Sequence, residues 1–396
     1  MMAKALYRSI PKVELHVHFD GALCNSLLHA HLNSESPPPP PLPSEVHLPW
    51  RDKPLPVKEA LKNAKSFDAF NNLCTCKDKR SLEAMLECFE VFTPIIRGNF
   101  DLIEENARKF VEMQKSNNVV YTELRYSPHF LAAPSPNSSS SVPDARPVID
   151  AVTRGLESGC REHNICIKQI LCCLCFNPEW SDDVVTLCEQ YKSSGPCNVV
   201  GIDVAAGEQH FDSGAFPKLY QPTFDAIARA RSLEIPITLH AGENTDSSNV
   251  HKAVKEYGAK RVGHGYRIVG ERGTYTSFSD VHFECCPTSS YETGGWNDDS
   301  ARDANWTKHP MKEMMTSMNL SVSINSDDPT VFATDISEEY SIVVNKMGVP
   351  TDKIKQSNLE AIGAAFCTDE LKAEIRSILN DYDYDEVEAQ IGFKRC

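Results

Sequence analysis

The chain has 396 residues, with 40 Lys and Arg against 55 Asp and Glu, a formal charge of -15, and 41% hydrophobic against 24% charged residues. That acidity repels a phosphate backbone and argues against nucleic acid as a partner, while the apolar fraction is that of a globular protein able to bury a large core. The length admits one large domain or two.

The first residues, Met1 to Glu14, carry Lys4, Arg8 and Lys12 and no apolar run of signal-peptide length. No later segment is apolar for long enough to span a bilayer, so no membrane partner is expected and a cytoplasmic location is. A first strand is predicted over Val13 to His18. Asn33 to Pro56 then holds Pro37 to Pro41 in a row and four further prolines, which neither a helix nor a sheet interior tolerates. It reads as a surface insertion after strand 1, at about 33–56, with a Pro-rich ligand for an SH3 or WW domain as the alternative. A helical segment carrying Leu86 and Phe89 follows, then an amphipathic stretch over Leu102 to Lys115 and a strand over Val119 to Ser127. A second surface insertion lies at about 132–143, with four serines in a row. Further strands are expected over Ile167 to Leu174, Val199 to Ala205, Ile235 to Glu243, Arg261 to Gly265, Val281 to Cys286 and Leu320 to Asp328. Helical stretches over Asp182 to Lys192, Thr223 to Ser232, Val250 to Tyr257 and Met311 to Met318 fall among them. The 15 cysteines fall largely in apolar runs such as Ile170 to Phe176, which fits reduced, buried thiols better than a disulfide framework.

Eight buried strands alternating with helices predict an α/β fold, a TIM-type (β/α)8 barrel in one domain over residues 1–396, with its active site at the C-terminal ends of the strands. A doubly wound open sheet is the alternative, but no G-x-G-x-x-G turn follows any strand. Chemistry-bearing residues do collect at the strand ends: His16 and His18 on the first, His240 and Glu243 on the fifth, His264 on the sixth, Asp327 and Asp328 on the eighth.

His16 and His18 are two apart on a strand and therefore share a face. Alone, such a pair is better read as two satisfied polar side chains than as a metal site. His240 adds a third imidazole and Asp327 a carboxylate, a donor set that zinc accepts with room for a water whose pKa falls to about 7. Glu243, three residues beyond His240, becomes a proton donor if a dry pocket raises its pKa; a helix N-cap or salt bridge is the plainer reading. His264 lies between Gly263 and Gly265, small residues that permit close approach, and could orient or deprotonate the water. Asp327 and Asp328, followed by Pro329, cannot both face inward in a regular strand, so the strand must break there. The first is assigned to the metal and the second to the substrate; by itself Ser-Asp-Asp-Pro is a turn.

Five motifs then point to one family: Pro-Lys-Val-Glu-Leu-His-Val-His-Phe-Asp-Gly-Ala from Pro11, Tyr121 to His129, His-Ala-Gly-Glu from His240, Arg-Val-Gly-His-Gly-Tyr from Arg261, and Ser-Ile-Asn-Ser-Asp-Asp-Pro from Ser323. With them the chain resembles the adenosine deaminase family of the metal-dependent amidohydrolase superfamily over nearly its whole length. The resemblance implies hydrolysis of adenosine, and of 2′-deoxyadenosine, to inosine or its deoxy form and ammonia, in purine metabolism and salvage. One Zn2+ per chain would be held by His16, His18, His240 and Asp327. Glu243 would protonate purine N1, His264 would assist attack of water on C6, and Asp328 would accept a hydrogen bond involving N7. His18 and Asp20 would meet the ribose 5′-hydroxyl, and Leu86 and Phe89 would form an apolar lid. The family's Asp-Leu-Ala-Gly-Asp-Glu is Asp203-Val204-Ala205-Ala206-Gly207-Glu208 here. Either Ala206 or Gly207 would supply the backbone N–H to purine N3, and alanine serves if its φ stays negative.

A deaminase of AMP or N6-methyl-AMP would share the metal chemistry, but Asp20 would repel a 5′-phosphate and no Arg or Lys cradle stands near the motifs. An adenine deaminase would need no ribose contact. An inactive, adenosine-binding relative would have lost a ligand or Glu243, and none is lost. His282-Phe283-Glu284 near Cys285 and Cys286 is superficially similar to the other zinc deaminases but lacks their Pro-Cys-x-x-Cys, so it reads as a buried strand with Glu284 satisfied by neighbours. Cys172 and Cys175 read as core. The expected partner is a small purine nucleoside, and the expected state a monomer.

Overall fold

The computed structural model describes residues 2–34, 42–48, 50–133, 142–208, 217–270, 275–296, 304–384, 387 and 389. The Pro37 to Pro41 run and residues 134–141 of the second insertion lie outside the described residues. Eight strands follow the predicted runs: β1 (Lys12–His18), β2 (Val119–Tyr126), β3 (Cys166–Leu174), β4 (Val199–Ala205), β5 (Thr238–Ala241), β6 (Arg261–His264), β7 (His282–Cys285) and β8 (Ser321–Ile324). All pair in parallel, β1 to β4 in sequence and β5 to β8 in sequence.

Two short bridges join these halves into a ring. Ile202 pairs with Ile237, and Ile202 N–H donates to the Pro236 carbonyl at 3.0 Å. At the other seam Val17 pairs with Asp327: His18 N–H donates to Asp327 O at 2.8 Å and Asp327 N–H to His16 O at 3.1 Å. The expected barrel is therefore present. β5 and β8 are shorter than the predicted runs because the chain leaves strand geometry just past them, with Gly242 at φ +71° and Asp327 at +61°. The expected break at Asp327 is real, and it places that residue on the barrel axis.

Strand alternation sorts the side chains. On β1, Val13 and Leu15 pack outward with Ala361 and Ile362 of the Thr351–Ala364 helix, while Glu14, His16 and His18 face the barrel interior. Charge lies deep in that interior: Glu123, Arg125, Asp203, Arg261 and Glu284 are fully buried, and each carboxylate is paired with at least one of the two arginines, as buried charges require. One further element shapes the mouth. Ser81 caps the Leu82–Ile96 helix by accepting from Ala84 N–H at 3.2 Å, and Leu82, Met85, Leu86 and Phe89, at i, i+3, i+4 and i+7, form one apolar stripe along it.

Candidate active site

The ends of β1, β5 and β8 bring the Nε2 atoms of His16, His18 and His240 to one carboxylate. His16 and His18 stand 3.3 and 3.4 Å from Asp327 Oδ1, and His18 Nε2 lies 3.3 Å from His240 Nε2. One ligand atom from each of these four residues lies within 4.8 Å of every other.

Hydrogen bonds on the far side of two rings fix their tautomers. Two arginines, Arg125 and Arg261, hold the Glu284 carboxyl well below the usual carboxylate range, and His240 and Arg125 do the same for Asp203. Both groups are therefore acceptors only. His16 Nδ1–H donates to Glu284 Oε2 at 3.0 Å and His240 Nδ1–H to Asp203 Oδ2 at 3.0 Å, which turns both Nε2 atoms toward the centre. Against the lowering effect of burial, Asp203 raises the His240 pKa to about 8, so a metal there would take the place of the His240 Nε2 proton. His16 Nε2 is buried without a hydrogen-bond partner. Converging ring nitrogens beside a carboxylate suit a divalent cation of zinc type, as the sequence predicted.

Arg125 ties the two supporting carboxylates together, donating to Asp203 Oδ2 at 2.9 Å and to Glu284 Oε2 at 2.5 Å. The sequence placed Arg125 and Asp203 only within motifs, whereas Glu284 was expected on a buried strand with its charge satisfied by neighbours, and His16, Arg125, Thr238 and Arg261 are those neighbours. The signal was present in β2, where Glu123 and Arg125 sit two apart in an otherwise apolar run and so point together into the barrel.

Glu243 is buried beyond β5. Burial and the nearby Asp327 and Glu208 charges raise its pKa to about 8. Thr293 Oγ1 lies 2.9 Å from Glu243 Oε1 and from the Ser289 carbonyl. Glu208 secures the loop that carries Glu243, accepting from the N–H groups of Gly242, Asn244 and Thr245 at 2.5, 2.5 and 2.8 Å. His264 Nε2 stands 3.6 Å from Glu243 Oε2. Burial holds the His264 pKa well below its ordinary value, so the ring is neutral. The glycines beside it serve packing and not ligand access: a Cβ on Gly263 would meet His16 Cε1 at 2.8 Å, and one on Gly265 would meet Phe283 Cδ1 at 2.3 Å. A second set able to hold a metal, His264, Cys286 and Asp327, shares the carboxylate, so Cys286 stands nearer the chemistry than a core cysteine was expected to.

Asp328 Oδ1 and Asp20 Oδ1 are buried with no hydrogen-bond partner, Asp20 Oδ1 lying 3.9 Å from His18 Nδ1. Burial raises the Asp20 pKa to about 7, and burial beside Asp327 pushes Asp328 well above the carboxylate range. Gly21 makes room for Asp328, whose Oδ1 lies 1.7 Å from where a Cβ on Gly21 would stand.

These groups line one cavity of about 290 Å³. Its walls include Leu86 and Phe89, as expected, together with Ala206, Gly207 and, unexpectedly, Leu48 and Trp50 from the insertion after β1. No Lys or Arg is among its lining residues. Ala206 departs from its expected geometry: its φ is +66° and that of Gly207 is +101°, because the chain turns sharply out of β4. The negative φ set as the condition for alanine at this position does not hold, and Ala206 carries left-handed strain.

A family model described as adenosine deaminase matches residues 59–382. Adenosine deaminase of Bos taurus is 32% identical over 380 residues, covering 93% of this chain and 93% of that protein. Among solved structures, the N6-mAMP deaminase of arabidopsis has a TM-score of 0.72 at 22% identity, covering 95% of this chain and 99% of that one. A cog1816 amidohydrolase from Burkholderia ambifaria with bound Zn has a TM-score of 0.71 at 20% identity, covering 99% and 95%.

Proposed function

The chain belongs to the adenosine deaminase family, and on that premise we propose that it is a zinc-dependent hydrolase converting adenosine, and 2′-deoxyadenosine, with water to inosine or its deoxy form and ammonia. One observation carries the reading: three imidazoles and Asp327 converge beside the buried Glu243 in a cavity whose lining has no Lys or Arg.

His16, His18, His240 and Asp327 would hold the zinc. Bound there, zinc supplies Lewis acidity that makes water a nucleophile near neutral pH. Glu243 keeps its proton at neutral pH and passes it to purine N1, which draws electron density from C6. His264, neutral and 3.6 Å from Glu243, accepts a proton from the attacking water. N7 of adenosine carries a lone pair and no proton. Asp328, which burial keeps protonated, therefore donates to N7, the reverse of the direction expected from sequence. Asp20 and His18 take the ribose 5′-hydroxyl, and the turn at Ala206 and Gly207 supplies the N–H for N3. Leu86 and Phe89 exclude water and so strengthen every polar contact beneath them.

A lining that has Asp20 and no Lys or Arg favours the nucleoside over its 5′-phosphate, which would meet a carboxyl group and no cationic side chain at that end. No helix among the described residues is long and apolar enough to cross a membrane. Free thiols throughout the described residues suit the cytoplasm, and one chain supplies the whole site, as a monomer requires. The test is conversion of adenosine to inosine by metal-free protein with and without one equivalent of zinc. Conversion that appears only with zinc supports the reading, and none under either condition refutes it.

A further inference from the structure

The insertion after β1 reaches the site. Val46 and Leu55 pair antiparallel, each N–H donating to the other's carbonyl at 2.9 and 2.8 Å. Between them Leu48 and Trp50 lie against the cavity, with Leu48 only 9% exposed. Arg51 fastens this excursion to the Leu82–Ile96 helix through Glu87 at 2.6 Å. A solvated loop needs none of this. Two apolar side chains set among prolines are instead fixed over the pocket, held by a backbone whose φ angles the prolines restrict.

The position of Trp50 says which part of the ligand it meets. Glu243 and Asp328, which address the purine, follow β5 and β8. Asp20, assigned above to the ribose 5′-hydroxyl, follows β1, and Phe176, which follows β3, lines the same cavity. The Trp50 ring packs on Phe176 with centroids 5.6 Å apart and planes at 47°. Its Nε1–H is buried and has no hydrogen-bond partner, an unusual state for an indole N–H beside a cavity.

We propose that Trp50 is a specificity-determining residue, whose ring sets the size limit on the sugar and whose Nε1–H donates to a sugar hydroxyl. This rests on the nucleoside reading above. The ligand class it selects is a purine nucleoside with an unsubstituted pentose. Trp50 offers neither a metal ligand nor a transferable proton, so it takes no part in the chemistry at C6.

The experiment compares wild type, Trp50→Ala and Trp50→Phe on adenosine, on the 2′-, 3′- and 5′-O-methyl adenosines, and on 6-chloropurine riboside, which is altered only at the metal end. Circular dichroism and thermal unfolding verify that both variants are folded. In Trp50→Ala, kcat/KM for at least one O-methyl nucleoside relative to adenosine rises about tenfold or more, while the ratio for 6-chloropurine riboside stays within about twofold. Trp50→Phe restores the size limit but raises KM for adenosine about 2- to 10-fold, the worth of one neutral hydrogen bond. O-methyl ratios that do not move, or that move in step with 6-chloropurine riboside, overturn the size limit. An unmoved KM in Trp50→Phe overturns the hydrogen bond. Wild type inert toward adenosine overturns the functional reading itself, and the role of Trp50 falls with it. A variant that fails to fold is replaced by Trp50→Leu, read in the same way as Trp50→Ala.

Discussion

At Glu243 and Ala206, a carboxylate and a methyl group carry more consequence than their neighbours. Glu243 acts as a proton donor only while it holds its proton, and its pKa without metal is about 8. The acid form is the active one, so kcat/KM falls as pH rises through that value, or through a lower one where a bound dication draws the pKa down. Glu243→Gln keeps a donor but has no proton to give. It is expected to lower kcat about 10²- to 10⁴-fold and to remove this basic limb, measured as a pH-rate profile. Ala206 pays for its φ of +66° with about 1 kcal/mol or more of strain. Ala206→Gly should therefore raise the unfolding free energy, read from a urea titration, by about that amount, and an unchanged value would refute the strain. Both residues were visible in the sequence, Glu243 by its spacing from His240 and Ala206 as a departure from the family motif. The protonation of Asp328 and the sign of φ at 206 were not, since each depends on what the barrel closes around it.

Among the elements, the strands could be read from alternation, and seven of the site positions follow from which strand ends carry histidine or carboxylate. The layer beneath could not. Arg125 on β2, Asp203 on β4 and Glu284 on β7 come together only when the ring closes, from positions up to 159 residues apart. Their function is to orient His16 and His240, so they should control metal affinity. Asp203→Asn is expected to weaken zinc binding about 10- to 100-fold in competition with a chromogenic chelator, a readout that needs no substrate. Arg125→Met leaves two buried carboxylates without their shared cation and should destabilise the fold by about 3–5 kcal/mol. A variant of wild-type stability would show that the network tolerates the loss. The insertion after β1 is the opposite case: proline content announced a loop, but that Leu48 and Trp50 turn back over the pocket is a tertiary fact that local composition does not encode.

As a whole, the molecule places a polar, charged axis inside an apolar shell, and the barrel makes this stable by pairing each buried charge. The same arrangement leaves His16 Nε2 without a hydrogen-bond partner where His18, His240 and Asp327 converge on it. Zinc should therefore bind the folded chain and not the unfolded one, raising the thermal midpoint of metal-free protein in proportion to the logarithm of its concentration. Asp327→Ala should abolish that rise. The net charge of -15 has a counterpart at the scale of the site, where no Lys or Arg lines the cavity to receive a phosphate.

The account is tested most directly by the initial rate of ammonia release from adenosine and from AMP at equal concentration, with zinc-loaded and chelated protein in parallel. Zinc-dependent release from adenosine, with AMP slower by about 100-fold or more, is the predicted result. Faster release from AMP, or undiminished release from chelated protein, would contradict it.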